Sequence, residues 1–73
     1  MNKGYRIKGF DRRLKRAIAD SNLTLTDICR KSGVSRSNLW AYCQGGNPSI
    51  YSLKRLAVTL NVTSDYLLGI GGE

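Results

Sequence analysis

The chain has 73 residues and a formal net charge of +7, with 12 lysine and arginine residues against five acidic ones. This length allows one small domain, and the 41% apolar content is enough for a core, which excludes a disordered basic tail. No apolar run approaches the ~20 residues of a membrane span, and the basic N-terminus lacks the apolar segment of a secretory signal. With no histidine and only two cysteines, one chain cannot build the usual zinc sites. We therefore expect no metal, no cofactor and no enzymatic activity.

The positive charge is concentrated at the N-terminus. Residues 1–16 carry a net charge of +6, whereas residues 17–73 carry only +1. A cluster of this kind is either a solvated face or a contact surface for phosphate or anionic lipid. The basic residues of the cluster are Lys3, Arg6, Lys8, Arg12, Arg13, Lys15 and Arg16.

The first two predicted elements are short helices. The first begins at Phe10 and ends near residues 20–22. The second begins at Thr24, an N-cap residue with Asp27 three positions on, as in a capping box, and ends at Gly33, which readily adopts the left-handed conformation. Apolar residues at helical spacing define both: Phe10, Leu14, Ala17 and Ile18 in the first, and Ile28 and Cys29 in the second.

Three further helices are predicted, each preceded by a capping residue. Ser35 starts the third, which stops at residues 45–48; Ser49 starts the fourth, and Thr63 starts a short fifth. No segment alternates as a strand does, so the predicted fold class is all-α. The apolar positions are Leu39, Tyr42 and Cys43 in the third helix; Ile50, Leu53, Leu56, Ala57 and Leu60 in the fourth; and Tyr66, Leu67 and Leu68 in the fifth.

The second and third helices have the pattern of a helix-turn-helix motif. Each is about two turns long, and residues 32–35 (Ser-Gly-Val-Ser) join them. The glycine suits a turn that a residue with a Cβ adopts reluctantly. Small or apolar residues stand where the two helices would lock together at a steep angle: Ile28, Cys29, Val34 and Leu39.

The segment from Phe10 to Gly69 resembles the lambda-repressor/Cro type of DNA-binding domain, the XRE-type helix-turn-helix. The resemblance implies a compact five-helix DNA-binding domain over residues 10–69, with a basic arm at 1–9 and a short tail at 70–73. No ligand-sensing domain follows, so we expect the whole protein to be the DNA-binding unit. The matching residues are Arg13-Leu14, Leu23-Thr24, Asp27-Ile28-Cys29, the run Gly33-Val34-Ser35-Arg36-Ser37-Asn38-Leu39, Asn47-Pro48-Ser49 and the run from Leu60 to Gly69.

Two departures from the family pattern lie near the motif. Leu25 stands where the family often has a glutamine that holds a phosphate. Ile18 and Cys43 stand where the family often pairs an arginine with a glutamate. Because removing both charges together permits an apolar contact, we expect Ile18 and Cys43 to touch each other, shielded from water, and Cys43 to be structural and not a redox sensor.

The start of a recognition helix enters the DNA major groove in this motif, so residues 36–43 are the expected reading helix. Arg36 is the best candidate to read guanine, Ser37 is a short adaptable partner, and Ala41 offers a methyl contact. Trp40 has two interpretations: a wedge against sugar and thymine methyl groups, or a partly buried structural residue that covers the edge of the core or a dimer seam, which we favour. The expected base-contacting residues are therefore Arg36, Ser37, Trp40 and Ala41.

Phosphate contacts are expected at the N-termini of the second and fourth helices, where backbone N–H groups carry partial positive charge. The resemblance points to the same two places, and the basic arm would add affinity through counterion release. The candidates are Thr24, Leu25, Gln44, Asn47, Ser49 and Tyr51, together with Lys3, Arg6, Lys8 and Arg13.

The leading functional hypothesis is a small transcriptional repressor of prophage or mobile-element type. It would act in the cytoplasm on double-stranded DNA, not on membranes, with both cysteines reduced. We expect a weak homodimer that DNA strengthens, with the seam at residues 66–70 unless these only close the core. The alternative is a protein-interaction module, such as an antitoxin or a phage control protein, because the fold alone does not fix the function.

Overall fold

The computed structural model describes residues 7–70. Over this range the chain forms five α-helices, and no strand occurs between these limits: α1 (Phe10–Ser21), α2 (Leu25–Ser32), α3 (Arg36–Cys43), α4 (Ile50–Leu60) and α5 (Ser64–Leu68). The predicted all-α five-helix fold is confirmed.

Four helices begin at the predicted caps. The side-chain oxygens of Thr24, Ser35, Ser49 and Thr63 each accept a hydrogen bond from the backbone N–H three residues on, at 3.0–3.1 Å. At α2 the Asp27 carboxylate also accepts from the Thr24 N–H, which completes the capping box. These bonds satisfy backbone donors that a helix start leaves without a partner.

Replacing Thr24 with alanine tests the contribution of this cap. We expect the free energy of unfolding to fall by about 1 kcal/mol, measured by urea denaturation. Hydrogen bonds from Thr24 lower the pKa of Asp27, helped by the charges of Arg30 and Lys31. Because the pKa of Asp27 is lower in the folded chain than in the unfolded chain, its carboxylate stabilises the fold at pH values above the ordinary aspartate pKa. This contribution is lost as the pH falls through the folded-state pKa. The difference between wild type and Thr24→Ala should therefore shrink in acid, while Thr26→Ala should change stability little at any pH.

The turn between α2 and α3 depends on Gly33. This residue has φ 78° and ψ 6°, and its N–H donates to the Cys29 carbonyl at 2.9 Å. A Cβ built at Gly33 would meet no atom within 4 Å. Glycine is therefore required here by the left-handed backbone and not by lack of space.

The core is formed where α1 packs on α3 and α5 while α2 packs on α4. The Phe10 ring meets the Tyr42 ring edge-on, with 6.5 Å between the ring centroids, which joins α1 to α3. The predicted burial of Tyr42 and of Val34 in the turn is confirmed. The buried apolar residues are Phe10, Leu14, Ala17, Ile28, Val34, Leu39, Tyr42, Leu56, Ala57, Leu60 and Leu67.

The apolar stripe of α4 is shorter than predicted. Helical spacing predicts that Ile50 is buried with Leu53 and Leu56, but its side chain is 85% exposed. As the first residue of α4 it lies beyond the edge of the core, so helical spacing alone overestimated its burial.

Two arginines tie the helices together through backbone carbonyls. Arg13 donates to the Leu67 carbonyl at 3.1 Å and to the Lys8 carbonyl at 2.7 Å. Arg55 donates to the Ser32 and Lys31 carbonyls at 3.1 and 3.2 Å, and so holds α4 against the end of α2. Cationic side chains are favourable at helix C-termini because the last carbonyls have no partner within the helix.

Candidate nucleic-acid interface

Helix α3 has one buried face and one free face. Leu39 and Tyr42 are buried against the core, whereas Arg36, Ser37, Trp40 and Ala41 are all exposed. At 100° per residue, these four exposed positions span about 140° of the helix circumference. The structure thus brings all four residues predicted to contact bases onto one solvent-facing surface.

Trp40 is more exposed than we favoured from the sequence. Its side chain is 67% exposed, so the expected partial burial within the monomer is wrong. The indole does not cover the core; it borders an open groove between α1 and α3. Together with Leu25, which is also exposed, the indole gives this groove an apolar edge that is open to solvent.

The α1–α3 groove has a volume of about 610 Å³. Ile18 and Cys43 both line it and both pack against the core, but each is only half-buried. The predicted shielding of this pair from water is therefore wrong, since the groove reaches them. Burial raises the pKa of the Cys43 thiol, against an opposing effect of Lys15, and so favours the neutral thiol. The groove lining includes Lys15, Ile18, Leu25, Arg36, Trp40 and Cys43.

The helix N-termini differ in their charge. The first turn of α2 holds Asp27, which pairs with Arg30 at 2.9 Å and partly neutralises that helix end. The first turns of α3 and α4 hold no acidic residue, so their backbone N–H groups keep their partial positive charge. The end of α4 therefore suits an anion better than the end of α2.

Most residues predicted to contact phosphate are on the surface. Thr24, Leu25, Gln44, Asn47, Ser49, Tyr51 and Lys8 are exposed. The Asn47 side-chain oxygen accepts from the Ile7 N–H at 3.2 Å, which connects the end of the basic arm to the loop before α4. Lys3 and Arg6 lie outside the described residues.

Arg13 has a different position from the one expected. Its guanidinium is half-buried between Gly9 and Gly69 and bonds the Lys8 and Leu67 carbonyls. These contacts give Arg13 a role within the fold, joining the start of α1 to the end of α5. Arg13 is therefore a structural residue and is not proposed as a phosphate contact.

The sequence around α3 and α4 has a one-sided charge pattern that the sequence analysis missed. Between Asp27 and Asp65 the chain has no acidic residue, yet it has Arg30, Lys31, Arg36, Lys54 and Arg55. This segment contains α3, the turn before it, and α4. Helices α3 and α4 therefore contribute no carboxylate to this surface, and Asp27 on α2 is the acidic residue of the motif, although the net charge of residues 17–73 is low.

The same described range contains no site for a metal ion and no membrane span. No three histidine, cysteine or acidic side chains among residues 7–70 are placed to share an ion. None of the helices in that part of the chain has the length and apolar character needed to cross a membrane.

Two short packed helices, a left-handed glycine turn and an exposed second helix define a helix-turn-helix domain. The helix-turn-helix family model HTH_3 matches residues 14–67, and the chain belongs to this family, of the XRE-type, lambda-repressor/Cro-like kind. The domain is accordingly a DNA-binding regulatory domain. Comparisons with curated proteins and with solved structures gave no match.

Proposed function

We propose that the protein is a sequence-specific transcriptional repressor of prophage or mobile-element type. It binds a two-fold DNA operator through residues 36–43, one recognition helix in each half-site. The observation that carries this proposal is the free face of α3, where Arg36, Ser37, Trp40 and Ala41 are exposed while Leu39 and Tyr42 fix the helix to the core.

The four exposed residues have distinct chemistry toward DNA. Arg36, at the first position of α3, suits the O6 and N7 atoms of guanine. Ser37 bonds either kind of base edge, and Ala41 offers only a methyl contact. Trp40 lies between Arg36 and Ser37 around this face, where its indole packs on sugar or on a thymine methyl group.

Phosphate contacts position the domain and carry no sequence information themselves. The start of α4 is the strongest candidate, because Ser49 and Tyr51 are exposed there and no carboxylate opposes an anion. Thr24 and Leu25 form a weaker contact at α2, beside Asp27. The remaining contacts in this proposal are Gln44, Asn47 and Lys8, with Lys3 and Arg6 of the basic arm.

Dimerisation through the C-terminal segment is the third part of the proposal. Leu67 is fully buried and belongs to the monomer core, whereas Leu68 is half-buried. Tyr66 and Ile70 are exposed and remain for a two-fold seam. A seam this small buries little area, which is consistent with a weak dimer that DNA strengthens.

Replacing Ile70 with aspartate tests the seam without disturbing the core. We expect a folded monomer by circular dichroism and sedimentation, and loss of cooperative binding to the two half-sites. Val58→Asp changes an exposed apolar residue of α4 and should leave the dimer intact. If Val58→Asp dissociates the dimer and Ile70→Asp does not, the seam lies on α4.

The second candidate function is protein interaction, as in an antitoxin or a phage control protein. The exposure of Leu25 and Trp40 beside an apolar groove favours it, because such surfaces often bind partners. A repressor must discriminate between DNA sequences, whereas a protein-interaction module need not.

Selection from a pool of random duplexes tests the proposal. A repressor should enrich one site with two-fold symmetry and half-sites about one helical turn apart. A pool that stays random after repeated rounds would contradict sequence-specific recognition and favour the interaction module.

A further inference from the structure

The α1–α3 groove is a small concave surface next to the recognition helix. Its volume of about 610 Å³ is within the ~300–1,000 Å³ range of small-molecule sites. Ile18, Leu25, Trp40 and Cys43 give it an apolar lining. Leu25 is 41% exposed and Trp40 67% exposed, so an occupant would bury apolar surface that the monomer leaves in water.

The charged residues of this groove are of one sign. Lys15 and Arg36 contribute to its lining and are exposed, and no lining residue is acidic. Within residues 7–70 the ion pairs are Arg16 with Asp20 and Arg30 with Asp27, so neither Lys15 nor Arg36 is paired. Asp11 lies one turn before Lys15 on α1 and does not line the groove. In addition to burial, the charge of Asp11 raises the pKa of the Cys43 thiol, whereas that of Lys15 lowers it. The complement of this surface is an apolar body with one negative end.

We propose that the groove binds a small anionic amphiphile: an apolar molecule with one carboxylate, of the kind represented by a medium-chain fatty acid. The apolar part lies along Ile18, Trp40 and Cys43, and the carboxylate lies near Lys15 and Arg36. The length of the groove fits a molecule of this size, because helix α3 has eight residues and one wall is therefore about 12 Å long.

Occupation of the groove would oppose DNA binding. Arg36 is the residue proposed to contact guanine. A carboxylate that forms a salt bridge with its guanidinium would compete with that contact. By thermodynamic linkage, DNA bound at α3 would lower the affinity of the groove for the amphiphile by the same factor. This regulatory consequence rests on the proposed function, whereas binding of the amphiphile does not.

Trp40 is the only tryptophan in the chain, so its fluorescence reports on this site directly. Titration of the free protein with decanoate, below the concentration at which it forms micelles, should give a saturable blue shift. Decanol, of equal length but uncharged, should bind at least tenfold more weakly. Leu25→Glu places a carboxylate at the first position of α2, where it also suits the helix start. This variant should bind decanoate at least tenfold more weakly, while Val58→Glu on α4 should bind as wild type does.

Circular dichroism establishes that both variants are folded before their affinities are compared. The proposal fails if decanoate gives no saturable shift, if decanol binds as tightly, or if Val58→Glu weakens binding as much as Leu25→Glu. It also fails if Leu25→Glu converts a dimer to a monomer, because the groove would then be covered by a second copy. Tighter binding of an acidic helical peptide than of decanoate would assign the groove to a protein partner.

A separate DNA measurement distinguishes the two proposals. If decanoate binds and reduces operator affinity at least tenfold, both stand. If decanoate binds but the protein discriminates no DNA sequence, the repressor proposal fails and the amphiphile site stands. If decanoate binds and leaves operator affinity unchanged, the site stands and its regulatory consequence is wrong.

Discussion

Replacing Arg36 with alanine is expected to weaken binding to the selected operator by about 5- to 150-fold, equivalent to ~1–3 kcal/mol. Arg36 is the first residue of α3, is exposed, and forms no ion pair among the described residues. Its loss should therefore leave the fold unchanged and remove one bidentate contact to guanine. The preference at that one base pair should relax, while affinity for random duplex falls much less.

Lys8→Ala is the matched control for the Arg36 experiment. Lys8 is exposed and is proposed to contact phosphate, so its replacement should weaken binding to the operator and to random duplex by a similar factor. The slope of log affinity against log salt should become shallower by about one unit. Fluorescence anisotropy over a salt series measures both effects. An Arg36→Ala variant that loses affinity equally for both duplexes would make Arg36 a phosphate contact.

Leu39→Ala is expected to give the largest loss of stability, about 2–5 kcal/mol in the free energy of unfolding. Leu39 is buried and holds α3 against the core, so its truncation leaves a cavity under the recognition helix. Small domains bury a limited fraction of their surface and have little stability to lose. A large part of the variant should therefore be unfolded near 37 °C.

Leu25→Ala is the control for Leu39→Ala. Leu25 is 41% exposed, so its truncation removes little buried surface and should cost well under 2 kcal/mol. Urea denaturation measures the free energy of unfolding of both variants. Equal stability of the two variants would contradict the burial of Leu39 under α3. The DNA affinity of Leu39→Ala should fall only in proportion to the fraction of the protein that is unfolded. Arg36→Ala should be fully folded and should lose affinity because a base contact is missing.

Local interactions explain why the helices were predictable. A cap such as Thr24 or Ser49 bonds an N–H only three residues away, and Gly33 ends α2 through its own backbone freedom. The buried face of α3 also followed from spacing, since Leu39 and Tyr42 lie one turn apart. These features need no knowledge of the tertiary structure.

Interactions between distant residues explain what the sequence did not predict. Arg13 donates a hydrogen bond to the Leu67 carbonyl, 54 positions away, and Arg55 donates one to the Ser32 carbonyl, 23 positions away. A helical wheel gives the direction of a side chain but not whether another element covers it. Ile50 and Trp40 were misjudged for this reason, and the open groove beside Cys43 depends on how α1 and α3 pack.

The most direct test of sequence reading by α3 compares wild-type affinity for the selected operator with that for a shuffled duplex of the same composition. Both are measured at one physiological salt concentration, because affinities for DNA depend strongly on salt. A domain that reads bases through the free face of α3 should bind the operator about 10³-fold more tightly or better. Equal affinities for the two duplexes would show that α3 reads no sequence and would contradict the assignment of Arg36, Ser37, Trp40 and Ala41 as a reading surface.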